Sequence, residues 1–376
     1  MRSPISRRWL MIASSLCALS LVVAACGGSD SSSSSSGSSS SSSSSAKADK
    51  VAVLLPDTKS SVRWETADRP LLTQAFKAAG VPVEIQNAQG DKSTQQQQAE
   101  QAITNGAKVL LLVNLDSGSG AAIEANAKSQ GVKVIDYDRL TLGGSADYYV
   151  SFDNVAVGKL QGQGLVNCLQ QGGGPAKPKI AELNGSPTDN NATLFAQGYN
   201  SVLNPLYKAG KATKVADQSV PDWDNQKALT IFEQMLQKES NKIDGVLAAN
   251  DGLGNAAISA IKARKLKQIP VTGQDATAEG IQNILAGDQC MTVYKAIKQE
   301  ADAASKLAIA LSKKQSPAAG LVNGKSDDTK RQVPSVLLKP QAITKDNVNV
   351  VFDDGFLKKS DVCTGKYAQL CTAAGV

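Results

Sequence analysis

Eight apolar stretches recur along the chain, and each runs into polar residues. They span 51–57 (VAVLLPD), 81–88, 108–116, 133–139 (KVIDYDR), 179–186, 213–220, 245–251 (GVLAAND) and 270–276 (PVTGQDA). Their apolar positions are mostly continuous rather than alternating, the pattern of strands covered on both faces. Helix-spaced stretches separate them at 67–80, 93–106, 120–131 and 225–241, the first two closing on a Gly stop. Strand and helix taking turns predicts an α/β fold with mainly parallel sheets. The strands form two groups, divided by residues 143–165, so two lobes are expected. Ligands of open parallel sheets sit beyond the carboxyl ends of the strands. Those ends read Asp57, Asn114, Asp138-Arg139, Asp189-Asn190, Asn250-Asp251 and Gln274-Asp275.

The first residues follow another pattern. Arg2, Arg7 and Arg8 precede the apolar run WLMIASSLCALSLVVAA, which is too short and too weakly flanked for a lasting membrane span and is expected to be a signal peptide over 1–25. The run ends Val23-Ala24-Ala25-Cys26, which resembles the bacterial lipobox and implies a lipid on Cys26. SRRWLM also resembles a twin-arginine export signal, so the export route stays open. Residues 26–49 are nearly all Ser and Gly and cannot bury apolar area, the property of a flexible tether. An exported protein lipid-anchored to the outer face of the cell membrane is the expectation.

Composition narrows the chemistry. Three Arg and no acid leave with the signal, so the formal charge falls from +6 to +3. With no basic run in the remainder, nucleic acid is excluded as a partner. Histidine is absent from all 376 residues, which removes the Ser-His-Asp arrangement and the commonest zinc ligand. No cofactor, metal site or catalytic residue is implied. Cys168, Cys290, Cys363 and Cys371 remain after the signal and Cys26 are set aside, an even number that suits two disulfides in an exported protein. Cys363 and Cys371 lie close together in a polar tail, which favours that pair and leaves Cys168 with Cys290, although three pairings are formally open.

The polar strand ends suit a ring of hydroxyls, each a donor and an acceptor. Asp and Asn are short and stiff, Arg and Lys donate back, and ionised partners strengthen each bond. Trp64 and Trp223 lie in polar loops beside Asp and Arg rather than in apolar runs, as rings that stack on a sugar face would. Each single Asp or Asn after a strand is also a natural helix cap. Asp91 and Asp116 are assigned to turns, and Asp153-Asn154 to a crossover. The binding reading rests on recurrence at strand ends of both lobes.

Several stretches together carry a closer resemblance: RWETADR (63–69), VIDYDR (134–139), YYVSFDNVAVG (148–158), NGSPTDNNATLFAQG (184–198), NKIDGVLAANDG (241–252), VTGQDA (271–276), MTVYKAI (291–297) and VPSVLL (333–338). Over residues 51–355 the chain resembles the type I periplasmic solute-binding proteins. The resemblance implies two Rossmann-like lobes joined by a three-stranded hinge, closing over one monosaccharide, a pentose such as D-xylose. The N-terminal lobe is expected over 50–150 plus 291–333 and the C-terminal lobe over 151–290 plus 334–376. Chain crossings are expected near 149–153, 289–292 and 333–337. Carried over by motif, the sugar contacts fall on Arg63, Trp64, Asp138, Arg139, Asp189, Asn190, Phe195, Trp223, Asn250, Asp275 and Lys295, with Gln274 and Asp251 less firmly placed. The implied role is the binding component of an ABC importer, a monomer delivering sugar to a permease and its ATPase. A sensor presenting the closed form to a membrane receptor or kinase needs the same cleft and is the alternative. A glycosidase built on Asp138, Asp189 and Asp275 lacks any distinguished acid and nucleophile, and an export signal argues against a DNA-binding repressor.

Overall fold

The computed structural model describes residues 48–376, so the expected signal, Cys26 and residues 26–47 of the expected tether lie outside the described residues; Ala48 and Asp49, expected in the tether, already join the body, Asp49 N donating to Ser312 O at 2.9 Å. The elements follow the alternation read above. The first half runs β1 (Lys50–Leu55), α1 (Arg69–Ala78), β2 (Val83–Asn87), α2 (Lys92–Thr104), β3 (Ala107–Leu112), α3 (Ser117–Ser129), β4 (Lys133–Tyr137) and β5 (Tyr148–Phe152). Then come α4 (Asn154–Gln171), β6 (Lys179–Asn184), α5 (Asn190–Lys208), β7 (Thr213–Ser219), α6 (Asn225–Lys238), β8 (Gly245–Ala248), α7 (Asp251–Ala263) and α8 (Ala278–Ala286). The chain closes with β9 (Thr292–Tyr294), α9 (Ile297–Ser312), β10 (Gly324–Asp327), β11 (Gln332–Leu338), β12 (Gln341–Ile343) and three short helices over 350–373.

One sheet has the order β10-β11-β5-β4-β3-β1-β2 and is parallel except for its edge strand β10. Its central strands are apolar throughout because both faces are covered. Val51, Val53 and Leu55 pack with Trp64, Leu72, Phe76 and the α9 residues Ala304 and Leu307. Ala52 and Leu54 point the other way, onto Ala99 and Ile103 of α2 and Ile123 of α3. The second sheet is β7-β6-β8, all parallel. The run at 270–276 extends it by a single bridge, Val246 to Val271, instead of a full strand.

The chain passes between the two bodies three times: from β5 into α4, from β9 into α9 and from β11 into β12. Two of these crossings fall later than the expected divisions at 291 and 334. β9 pairs antiparallel with β12 and belongs to the second body, while β11 pairs parallel with β5 and completes the first. Strand pairing, not the local sequence, decides both boundaries.

Two cysteine pairs face one another. The Cα atoms of Cys168 and Cys290 are 6.4 Å apart and those of Cys363 and Cys371 5.8 Å, both within the span of a disulfide. The first joins α4 to the segment before β9. The second closes the tail, whose Val351, Val362 and Cys371 share a core with Ile281, Ile284 and Tyr294.

Helices α4 and α5 meet along glycines. A Cβ on Gly158 would lie 2.0 Å from the carbonyl oxygen of Phe195, and one on Gly198 would lie 2.2 Å from that of Val155. Backbone cannot yield as a side chain can, so Gly198→Ala is expected to cost about 1–3 kcal/mol through forced separation of the helices. A lowered midpoint in thermal or urea unfolding checks this; an unchanged midpoint would show that the contact has slack.

Candidate functional site

The cleft between the two bodies is assembled from strand ends. Beyond β1, Asp57 accepts from the backbone N–H groups of Lys59 (2.7 Å) and Ser60 (2.6 Å) and from Ser60 Oγ (2.9 Å), which folds the loop tightly. The loop delivers Arg63 and Trp64 to a π-helical turn, Trp64–Asp68, ahead of α1. Arg63 is buried and its fork is fully engaged. Nε and Nη2 donate to Asp68 (2.8 and 2.7 Å), Nη1 to Asp138 (2.8 Å) and Nη2 also to Glu300 (2.5 Å). Trp64 donates from Nε1 to Ser60 Oγ (3.1 Å), and the Arg63 and Arg139 guanidinium carbons lie 4.6 and 5.6 Å from its ring centre.

Asp138 ends β4 in the left-handed region, with φ of 63°. A non-glycine residue is held there only when its surroundings fix it. Here the Asp138 carbonyl accepts from Tyr149 Oη (3.0 Å), Ser151 Oγ (2.9 Å) and Asn191 Nδ2 (3.0 Å). The last donor comes from α5, across the cleft. Arg139 donates to Asn114 O (3.2 Å) and Ser60 Oγ (3.1 Å), and its Nε lies 3.1 Å from Asp189 of the other body without the alignment of a hydrogen bond.

The second body contributes helix starts and turns. Asp189 caps α5 by accepting from Asn191 N (2.9 Å), and its other oxygen accepts from Trp223 Nε1 (3.1 Å). Asp222 and Trp223 both have positive φ, 61° and 56°, which aims the indole into the cleft. Its ring lies over Gly185, where any Cβ would come within 2.0 Å of it, and it meets Phe195 edge-on at 6.3 Å. Asn250 caps α7. Asp275, at φ 99°, reaches toward Lys295, whose Nζ is 3.6 Å from both Asp275 and Asp138.

Ten of the eleven expected contacts, all but Asn190, therefore line one cavity, whose atom-free space of about 330 Å³ includes part of the open cleft. Asn190 is not on the lining; Asn191 takes that place. The missed signal is spacing: Asn191 and Phe195 are four apart on α5 and share a face, whereas Asn190 is turned off it. Ser60, Ser61 and Gln274 also line the cavity. Asp251 does not. It is fully buried beneath, accepting from Thr277 N (2.7 Å), Gln289 Nε2 (2.8 Å) and Thr292 Oγ1 (2.7 Å), and so ties the Asp275 loop to the segment before α9.

Charges in the cavity hold one another. Burial alone would push Asp138 upward, but Lys295, Arg63 and Arg139 override it and keep its carboxyl below the usual range. Lys295 is raised despite burial by Asp138 and Asp275. Glu300 is pushed up to about 8, first by burial and then by Asp138 and Asp68, against the pull of Arg63 and Lys295. Arg63 and Lys295 are surrounded by four carboxylates, Asp68, Asp138, Asp275 and Glu300, and Glu300 Oε1 is buried without a partner.

With this geometry in hand, the chain belongs to the periplasmic binding protein family: the family's periplasmic binding protein domain profile matches residues 51–316. The chain is 38% identical to the D-xylose-binding periplasmic protein of Escherichia coli over 84% of this chain and 93% of that protein. It is 33% identical to the multiple sugar-binding periplasmic receptor of Rhizobium radiobacter, over 84% and 92% of the two chains. Among solved structures, it is similar to a carbohydrate transporter solute-binding protein from Chloroflexus aurantiacus in complex with D-glucose, with 31% identity, a TM-score of 0.76 and coverage of 83% of this chain and 97% of that one. The relatives are solute-binding transport proteins rather than enzymes.

Glu300 yields a pH test. Its folded pKa lies above its unfolded value, so its contribution to stability is full below about pH 4 and is lost as pH rises toward 8. Glu300→Gln keeps an acceptor for Arg63 without the charge. The melting temperature of the natural protein is expected to fall relative to that variant between pH 5 and 8; a constant difference would mean that Glu300 is ionised throughout.

Proposed function

We propose that the protein is the sugar-binding component of an ABC importer and that its ligand is a monosaccharide, D-xylose before other pentoses or hexoses. One observation carries this reading. Short carboxylate, amide and cationic side chains from both bodies converge on one buried cavity that also holds two indoles. Such a surface matches a neutral ring with hydroxyls at its edge and apolar faces. The similarity to D-xylose-binding proteins supports the choice of sugar.

Closure follows from the site being divided. Arg63, Trp64, Asp138 and Arg139 sit on the first body; Asp189, Asn191, Trp223, Asn250 and Asp275 sit on the second. A sugar reaching both groups binds the closed form more tightly and shifts the population toward it. The permease and its ATPase then take the closed shape as their signal and release the sugar by separating the bodies. A lipid on Cys26 and the 26–47 tether hold this monomeric body near the permease on the outer face of the membrane. The lobes divide at the three crossings described above. Disulfides join Cys168 to Cys290 and Cys363 to Cys371.

Calorimetric titration with xylose, glucose, arabinose and ribose tests the ligand, with xylose expected to bind tightest. Arg139→Ala or Asp275→Ala removes charge-assisted bonds and is expected to weaken xylose at least about a hundredfold. Normal binding by both variants would mean that the sugar sits elsewhere. Non-reducing peptide mapping of the exported protein is expected to recover both cysteine pairs as crosslinked peptides; recovery of free thiols at Cys168 and Cys290 would refute that pairing.

A further inference from the structure

The sugar cavity is not the end of the cleft. A second chamber of about 720 Å³ of atom-free space, part of it open to solvent, adjoins it and is more than twice its size. Ser60, Arg139, Asp189 and Trp223 line both chambers. The partition contains side chains: Arg139 Nη2 on Ser60 Oγ (3.1 Å), Arg139 Nε beside Asp189 (3.1 Å), and Trp223 Nε1 on Asp189 (3.1 Å). Arg139 Nε is buried against Asp189 within this wall and makes no aligned hydrogen bond. The wall between the chambers is therefore made of side chains from both bodies rather than of backbone.

Both bodies furnish the outer chamber, with Lys59 and Gln89 on one side and Thr188, Asp222 and Lys227 on the other. Its charges decide what fits. Four carboxylates, Asp57, Asp189, Asp222 and Asp224, face three cations, Lys59, Arg139 and Lys227. Lys227 is already committed to Asp222 at 2.7 Å. A phosphate or uronate would meet a surplus of negative charge. A neutral polyhydroxyl group would meet donors and acceptors in alternation.

We infer that the outer chamber is a second glycosyl subsite, so that the protein takes a neutral disaccharide with one residue in the inner cavity and the other between Lys59 and Thr188. This rests on the inner cavity holding a monosaccharide. The test is calorimetric titration of the full exported chain with xylose and with 1,2-, 1,3- and 1,4-linked xylobiose, followed by competition between them. At least one disaccharide is expected to bind one to one and to be displaced by xylose. Thr188→Trp, which fills the outer chamber only, is expected to weaken that disaccharide at least about tenfold while xylose changes less than about twofold. If xylose binds and no xylobiose does, or if Thr188→Trp leaves the disaccharide unaffected, the second subsite is refuted and the inner site stands. If the unmutated protein binds neither sugar, both readings fall together.

Discussion

A guanidinium and an ammonium buried beside four carboxylates set the shape of this protein's cleft. Arg63 cannot be taken out of water unless each branch of its fork is met, and Asp68, Asp138 and Glu300 meet it from three different elements. Removing one partner of such a group typically costs about 3–5 kcal/mol, because the other charge is left stranded. The arrangement is therefore all or nothing. It fixes the π-helical turn against the Asp138 side chain after β4 and against α9.

The same constraint makes the cleft suited to uncharged ligands. Its ions are already paired with one another within the protein. What remains on offer is hydrogen-bonding capacity at fixed positions, flanked by aromatic faces. A ligand bringing net charge would upset a balance reached without it, whereas hydroxyls exchange one hydrogen bond for another. Discrimination among sugars then depends on whether each hydroxyl finds its partner, since a polar group left unpaired in the closed cleft costs more than a lost contact on a surface.

Much of the architecture was legible in the chain because parallel strands buried on both faces leave continuous apolar runs. Val51 to Leu55 supplies two cores at once, and its shortness and β-branched residues mark it as a strand rather than a buried helix. The strand-end residues were legible for a related reason: polar groups directly after such runs sit at the sheet's edge. What escaped depended on the third dimension. Asn191 rather than Asn190 enters the cleft because of helical phase. The 270–276 run bends away after one bridge, since Asp275 and Ala276 take positive φ to aim at Lys295. Glu300 carries no local signal, because its partner Arg63 lies 237 residues away.

The glycine contact between α4 and α5 has a mechanical side. Helix α4 begins at the first chain crossing, and α5 carries Asn191 and Phe195 into the cleft. Because the two backbones touch at Gly158 and Gly198, no compressible layer separates them. Any rotation of α4 about the crossing at Asp153 must therefore carry α5, and with it Asn191 and Phe195, as one piece.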